Sequence, residues 1–181
     1  MNAIASETPD TTEQRVREIV AQLNAKQPDV DARVIDCDPN LADTAQFVEA
    51  YGYTLGQSAN TLIVIGKSDP PVYVACVVLA NTRLDVNKVV RKKLGVKKCS
   101  FAPAEMTEEL SGMKVGGVTP LGLSEYMPLW VDSRVMALPE IVLGGGSRAC
   151  KFVGSPEILT SLPNVEIVED LAKPIPEGPS E

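Results

Sequence analysis

The segment Gly116-Gly117-Val118-Thr119-Pro120, continued by Leu121-Gly122, carries the residue types of a main-chain binding loop. Glycine permits positive φ and lets the backbone approach a ligand closely. Proline then sets the direction in which the chain leaves. Such a loop presents several N–H and C=O groups to one small polar ligand; by composition alone it also describes an ordinary turn between a helix and a strand. A second glycine run, Gly144-Gly145-Gly146-Ser147-Arg148, is suited to approach a nucleotide, with Arg148 near phosphate or ribose. It lacks the strand-then-helix setting of dinucleotide and P-loop motifs, and its plainer reading is a hairpin turn. Between Arg83 and Lys98 stand seven of the 17 basic residues (Arg83, Lys88, Arg91, Lys92, Lys93, Lys97, Lys98) against one acid, Asp85. That density attracts phosphate, although Lys92 and Lys93 read better as a solvated outer face. Asp132, directly after Leu129-Trp130-Val131, is placed either to orient a water or donor network or to cap the following turn.

The rest of the composition restricts the chemistry. The chain has no histidine, which removes Ser-His-Asp and Cys-His catalysis and the commonest transition-metal ligand. Cys37, Cys76, Cys99 and Cys150 form no C-x-x-C pair and read as buried reduced thiols. Their spacing suggests no zinc site, and no metal or cofactor is expected. A net charge of -7 argues against a general nucleic-acid coat, DNA included. No run of 18 apolar residues exists to span a bilayer. Met1 to Asp10 carries acids and a proline rather than a basic segment followed by an apolar run, so a secretory leader is not expected and a cytoplasmic location is.

Hydrophobic periodicity supplies the elements that must hold these residues. Thr11 to Asn24 predicts a helix with Val16, Ile19, Val20 and Leu23 on one face and a Thr11–Gln14 capping box. Ala32 to Cys37 reads as a short strand and Leu41 to Tyr51 as a second helix stopped by Gly52. Thr61 to Ile65 and Val72 to Leu79 are strong strands joined by a loop of hairpin composition. Asp85 to Leu94 predicts a helix, Lys97 to Phe101 a strand, and the stretch from Pro103 to Gly112 a short helix. Strands at Leu129 to Val131, Glu140 to Leu143, Ala149 to Val153 and Val165 to Val168 follow, with a helix from Ser155-Pro156. The fold class is mixed α/β (α+β), a curled mixed sheet of about six to eight strands surrounded by short helices. One domain is expected over residues 1–172, with an N-terminal helix in 1–28 and a mobile tail over 173–181.

Several of these signals occur in a familiar order. Asp43-Thr44-Ala45 and Tyr51-Gly52 precede Ser58-Ala59-Asn60-Thr61-Leu62. Arg83-Leu84-Asp85-Val86-Asn87-Lys88, Gly116 to Pro120, Trp130-Val131-Asp132 and Gly144 to Arg148 then follow. The succession, over about Leu41 to Val168, resembles the YbaK family of aminoacyl-tRNA deacylases, which includes the editing insertion of bacterial prolyl-tRNA synthetases. The resemblance implies a YbaK-like fold and a cleft for the aminoacylated 3′ end of tRNA. It also implies hydrolysis of the ester of a small amino acid, with an aminoacyl-tRNA synthetase as a possible partner and no membrane involved. Nothing in the sequence specifies an oligomeric state.

The loop Gly116, Gly117, Val118, Thr119 and Pro120 would hold the aminoacyl group and stabilise the oxyanion through backbone N–H donors worth about 3 kcal/mol each. A bound water would be the nucleophile, oriented by a ribose hydroxyl. The family's usual lysine position falls on Asn60, which hydrogen-bonds but carries no charge. Asn60 would contact the terminal nucleotide or the aminoacyl carbonyl, with Asp132, Gly145, Ser147, Arg148, Arg83 and Lys88 as further substrate contacts. Lys67 and Lys114 are nearby in sequence and could substitute. The Asn60 departure also opens an alternative, a non-catalytic tRNA- or nucleotide-binding module of the same fold. A small-ligand enzyme unrelated to tRNA is the third possibility.

Overall fold

The structure, a computed structural model, describes residues 10–176. The expectations for the first nine residues, for the Thr11 side chain of the capping box and for the last five residues lie outside that range.

The centre of the molecule is the hairpin of β2 (Ala59–Gly66) and β3 (Val72–Leu79), paired antiparallel from Ala59↔Leu79 to Gly66↔Val72. Both are built of β-branched and small apolar residues, which suit strands covered on two faces. Val74 to Leu79 is buried throughout. β5 (Cys99–Phe101) extends the sheet beyond β2, and β6 (Leu129–Asp132) and β9 (Val165–Val168) extend it beyond β3 in parallel, giving the order β5-β2-β3-β6-β9. An antiparallel sheet of β1 (Ala32–Asp36), β8 (Cys150–Gly154) and β7 (Ile141–Gly144) meets the first through a single bridge, Ser58↔Val142. The result is the mixed α/β fold expected, with an open multi-strand sheet among short helices. Its strands are shorter and more divided than a single curled sheet would be.

α1 (Asp10–Lys26) covers one face, where Val16 and Val20 pack with Leu143, Phe152 and Leu129. The opposite face of β3 packs on Val86, Val90, Trp130 and Leu171. The expected second helix is split. Asp38 caps a 3-10 turn over Pro39–Leu41 through the N–H of Asn40, and α2 (Thr44–Tyr51) starts only after Asp43. The expected helix from Asp85 is a π turn, Val86–Val90, running into one α turn, α3 (Arg91–Leu94), which Gly95 closes with φ 69°. α4 (Ala104–Ser111) ends at Gly112, and α5 (Ser133–Met136) follows β6 directly.

The mobile tail predicted from Lys173 is anchored through Pro174. Ala172–Pro174 forms β10 against β4 (Thr82–Leu84), Ala172 donates its N–H to Asp132, and Lys173 pairs with Asp85 at 2.8 Å.

Candidate functional site: a gap in the sheet

β2 is paired with β3 along its whole length, but its other edge is served only in part. β5 pairs with Val64–Gly66, and the Ala102 N–H reaches the Ile63 carbonyl at 2.8 Å. At the other end, the Val142 N–H of β7 reaches the Gln57 carbonyl at 2.8 Å. Alternate residues of a strand aim their backbone polar groups at the same edge. Thr61, midway between Gln57 and Ile65, therefore turns its N–H and C=O into the space between β5 and β7, where no strand takes them. That space is a cavity of about 370 Å³. β2 forms its floor; Asp43, Thr44 and Phe47 of the α2 region form one wall, and Val115, Gly116 and Val118 the other. Phe101, Ala102 and Ala104 border it, and Gly144 and Lys151 close the remaining side.

The two glycine runs of the sequence meet beside this cavity. Gly117 closes a turn onto the Lys114 carbonyl at 2.9 Å, and Gly146 donates to the Gly117 carbonyl at 2.8 Å. A Cβ on Gly117 would stand 2.5 Å from the carbonyl carbon of Ser147, so the segments pack main chain on main chain. Gly116 has φ 96°, a conformation that favours glycine. Of the expected site residues, Asn60, Gly116 and Val118 line the cavity.

The others stand outside it. Gly117 lies beneath the second glycine run. Thr119 and Pro120 are buried, and the Thr119 hydroxyl caps the 3-10 turn Pro120–Gly122 at the Leu121 N–H. Gly145 packs against Cys150. Ser147 donates to Glu13 at 2.7 Å and so ties α1 to the loop. Arg148 spans Asp43 (3.1 Å), the Val115 carbonyl (2.9 Å) and the Pro39 carbonyl (3.2 Å), clamping the two cavity walls from behind. Asp132 is the cap of α5, accepting from the N–H groups of Arg134 (2.8 Å) and Ala172 (2.7 Å). Arg83 and Lys88 are exposed on β4 and the π turn. The substrate contacts expected of Asp132, Gly145, Ser147, Arg83 and Lys88 find no geometric support, because their side chains or backbones are engaged elsewhere or face away.

The cavity also holds residues that sequence reasoning missed. The Thr44 hydroxyl donates to Asn60 Oδ1 at 2.9 Å, which fixes the amide and leaves its Nδ2 without a partner among the described residues. Lys151 of β8 is only 6% exposed. Its ammonium donates to the carbonyls of Ala42 (2.6 Å) and Gly116 (2.8 Å) and lies 5.5 Å from the Phe47 ring centroid. Burial draws the Lys151 pKa below the ordinary lysine value. A lysine in an otherwise apolar strand, Cys150–Gly154, was the signal available in the sequence. Lys67 and Lys114 do not line the cavity. Asp43 is the one carboxylate on the lining, and Arg148 already engages it. The arrangement is rich in donors and poor in bases, suited to stabilising charge that develops on a ligand oxygen rather than to general-base chemistry.

Fold and cavity define a small α/β domain with a cavity in a break between strands. Residues 38–162, which run from the cap of the 3-10 turn to beyond Lys151, match the aminoacyl-tRNA editing domain, and the chain belongs to that family. The uncharacterized protein YwhH of Bacillus subtilis (strain 168) is 25% identical over 140 residues, 77% of this chain and 87% of YwhH. The same fold is seen in the crystal structure of a protein described as a candidate trans-editing enzyme for prolyl tRNA synthetase. It has a TM-score of 0.73 and 23% identity, covering 93% of this chain and 98% of that one. It recurs in the hypothetical protein APE2540, with a TM-score of 0.72 and 23% identity over 86% and 99% of the two chains.

Proposed function

We propose that this protein is a trans-acting deacylase that hydrolyses the ester of a small amino acid wrongly attached to the 3′ end of tRNA. The observation that carries this reading is the cavity of about 370 Å³ in which Asn60, Gly116 and Val118 converge on the open edge of β2. Its volume lies in the range of small-ligand pockets and leaves room for an aminoacyl group with part of its ribose. Membership of the aminoacyl-tRNA editing family supplies the substrate class.

An aminoacyl ester is an activated acyl group, so positioning and oxyanion stabilisation suffice without a histidine. The N–H groups of Gly116 and Val118, which no acceptor among the described residues engages, would serve as donors, each worth about 3 kcal/mol in the transition state. The free Nδ2 of Asn60 would orient the ester or the ribose. Water is the nucleophile, and the vicinal ribose hydroxyl steers it. Phe101, 49% exposed on the cavity border, offers a ring for the terminal adenine. Lys97 and Lys98 lead into the same strand, and the Lys67 N–H bonds to the Lys98 carbonyl at 2.8 Å. These three exposed lysines would meet the phosphates behind the adenosine.

Selection among amino acids would come from cavity volume, at about 1–3 kcal/mol per methylene. The substrate is the erroneous product of an aminoacyl-tRNA synthetase, so the expected workplace is the cytoplasm. No helix among the described residues is long and apolar enough to cross a membrane.

A panel of mischarged tRNAs tests the proposal. Hydrolysis above the spontaneous rate, abolished by altering Gly116 or Gly117, is the expected result. Binding without turnover would favour the non-catalytic module instead, and no interaction with tRNA would reject both.

A further inference from the structure

Lys151 stands between Cys150 and Phe152, both fully buried, yet its chain ends at the cavity rather than in solvent. An ammonium in such a place is costly unless it is paired and hydrogen-bonded. Among the described residues no carboxylate pairs with it; Asp43 is taken by Arg148. What holds the charge are two carbonyl dipoles, Ala42 and Gly116, and the face of Phe47. Those two carbonyls belong to opposite walls of the cavity. The Ala42 peptide leads into Asp43 and Thr44, and Gly116 opens the glycine loop. An ammonium has three N–H groups, and two are spent on the walls. The third has no acceptor among the described residues, on a side chain that lines the ligand space.

We propose that Lys151 is a catalytic residue whose ammonium fastens the two walls and donates its remaining N–H to the carbonyl oxygen of the bound aminoacyl ester. This rests on the deacylase reading above. In the reaction the water oxygen bonds to the ester carbon and the carbonyl π pair moves onto the oxygen facing Lys151. The pair then returns, the bond from carbon to the ribose oxygen breaks, and that oxygen leaves with a proton originating from the attacking water. Lys151 stays protonated throughout and stabilises the oxyanion as a charged donor, stronger than the neutral N–H groups beside it. Asn60, on the cavity floor, adds only a neutral amide.

The test compares K151M, which keeps the length of the chain without charge, with K151R, which keeps the charge, and with wild type, all checked for folding by thermal melting. On the mischarged tRNA that wild type hydrolyses best, K151M is expected to lose about 100-fold in kcat with little change in KM, and K151R to recover part of the loss. A parallel measurement uses the non-hydrolysable amide 3′-deoxy-3′-alanylamino-adenosine and follows the Lys151 ammonium by NMR. The Nζ resonance of wild type is expected to shift on binding. Folded K151M with kcat within twofold of wild type, or an unshifted Nζ resonance in the saturated complex, would overturn the proposal. If wild type hydrolyses no ester in the panel, the deacylase reading fails, while the amide analogue still decides whether Lys151 contacts an aminoacyl carbonyl.

Discussion

The N–H of Gly146 donates to the carbonyl of Gly117 across 2.8 Å. The glycine run at 144–148 thus packs main chain on main chain against the first run, with Gly144 on the cavity lining. Glycine at 117 is required because Ser147 backbone occupies the place of a side chain.

Gly117→Ala is expected to cost about 1–3 kcal/mol through overpacking against backbone that cannot yield. By shifting the loop about 1 Å it should cut deacylation about 100-fold. Gly112→Ala is the control: its φ of 71° makes the substitution strained, but the added Cβ meets nothing within 4 Å. It should lower stability by about 1–2 kcal/mol and leave deacylation per folded molecule unchanged. Melting curves and initial rates on the same samples separate the two effects.

Asp132 is a structural cap, so Asp132→Ala should act on stability. The part-buried N–H of Arg134 and the buried N–H of Ala172 lose their acceptor, the buried one at a cost of about 1–3 kcal/mol and the other at less. Urea unfolding should show a lowered midpoint, with kcat/KM of the folded fraction as in wild type. A selective fall in kcat would show instead that Asp132 reaches the chemistry.

The lysines before β5 should govern affinity for tRNA and not the chemistry of a small ester. Lys97→Glu with Lys98→Glu should raise KM for tRNA and flatten the dependence of log(kcat/KM) on log salt by about 1.4, at about 0.7 for each phosphate no longer neutralised. Phe101→Ala should weaken binding by about 1–3 kcal/mol by removing the stacking ring. An aminoacyl-adenosine ester without the rest of the tRNA should feel the phenylalanine change but not the lysine pair.

The thiols should differ in reactivity. Burial pushes Cys76 up to about 12, and its side chain is fully covered in the sheet. Cys99 is half-buried with its thiol directed at the Val86 carbonyl. Brief iodoacetamide treatment of native protein at neutral pH should label Cys99 first and Cys76 only after unfolding, read by peptide mass analysis.

Acid should loosen the chain end. The hydrogen bond from Lys173, helped by the Lys88 N–H, holds the Asp85 carboxyl below its ordinary 3.8. A lowered folded-state value means the contribution is present above the unfolded pKa and is lost as pH falls through the folded one. The stability difference between wild type and Asp85→Asn should therefore be constant near neutrality and vanish at more acid pH than 3.8. Amide exchange of Ala172 and Lys173 should rise in the same interval.

Much of the scaffold was legible in the residues themselves. The apolar runs of β2 and β3, the glycine stops at 52, 95 and 112, and the proline opening α4 depend on neighbours in the chain, and local rules place them within a few residues. The ordered motifs also pointed to the editing family, because their residue types recur in sequence. The site was legible only in part. Asn60, Gly116 and Val118, singled out by their motifs, line the cavity, whereas residue type alone does not reveal that Ser147 bonds to Glu13 and that Asp132 caps α5.

Tertiary structure decided the rest. Lys151 and Asn60 lie on different strands and converge only because β7, bridged to Ser58 just before β2, carries β8 beside the cavity. The break that leaves the outer edge of Thr61 without a strand partner depends on where β5 and β7 stop, which no single strand encodes. Local propensity is a short-range free energy, whereas a cavity is made by the failure of distant segments to meet, and that is settled only when the whole chain packs.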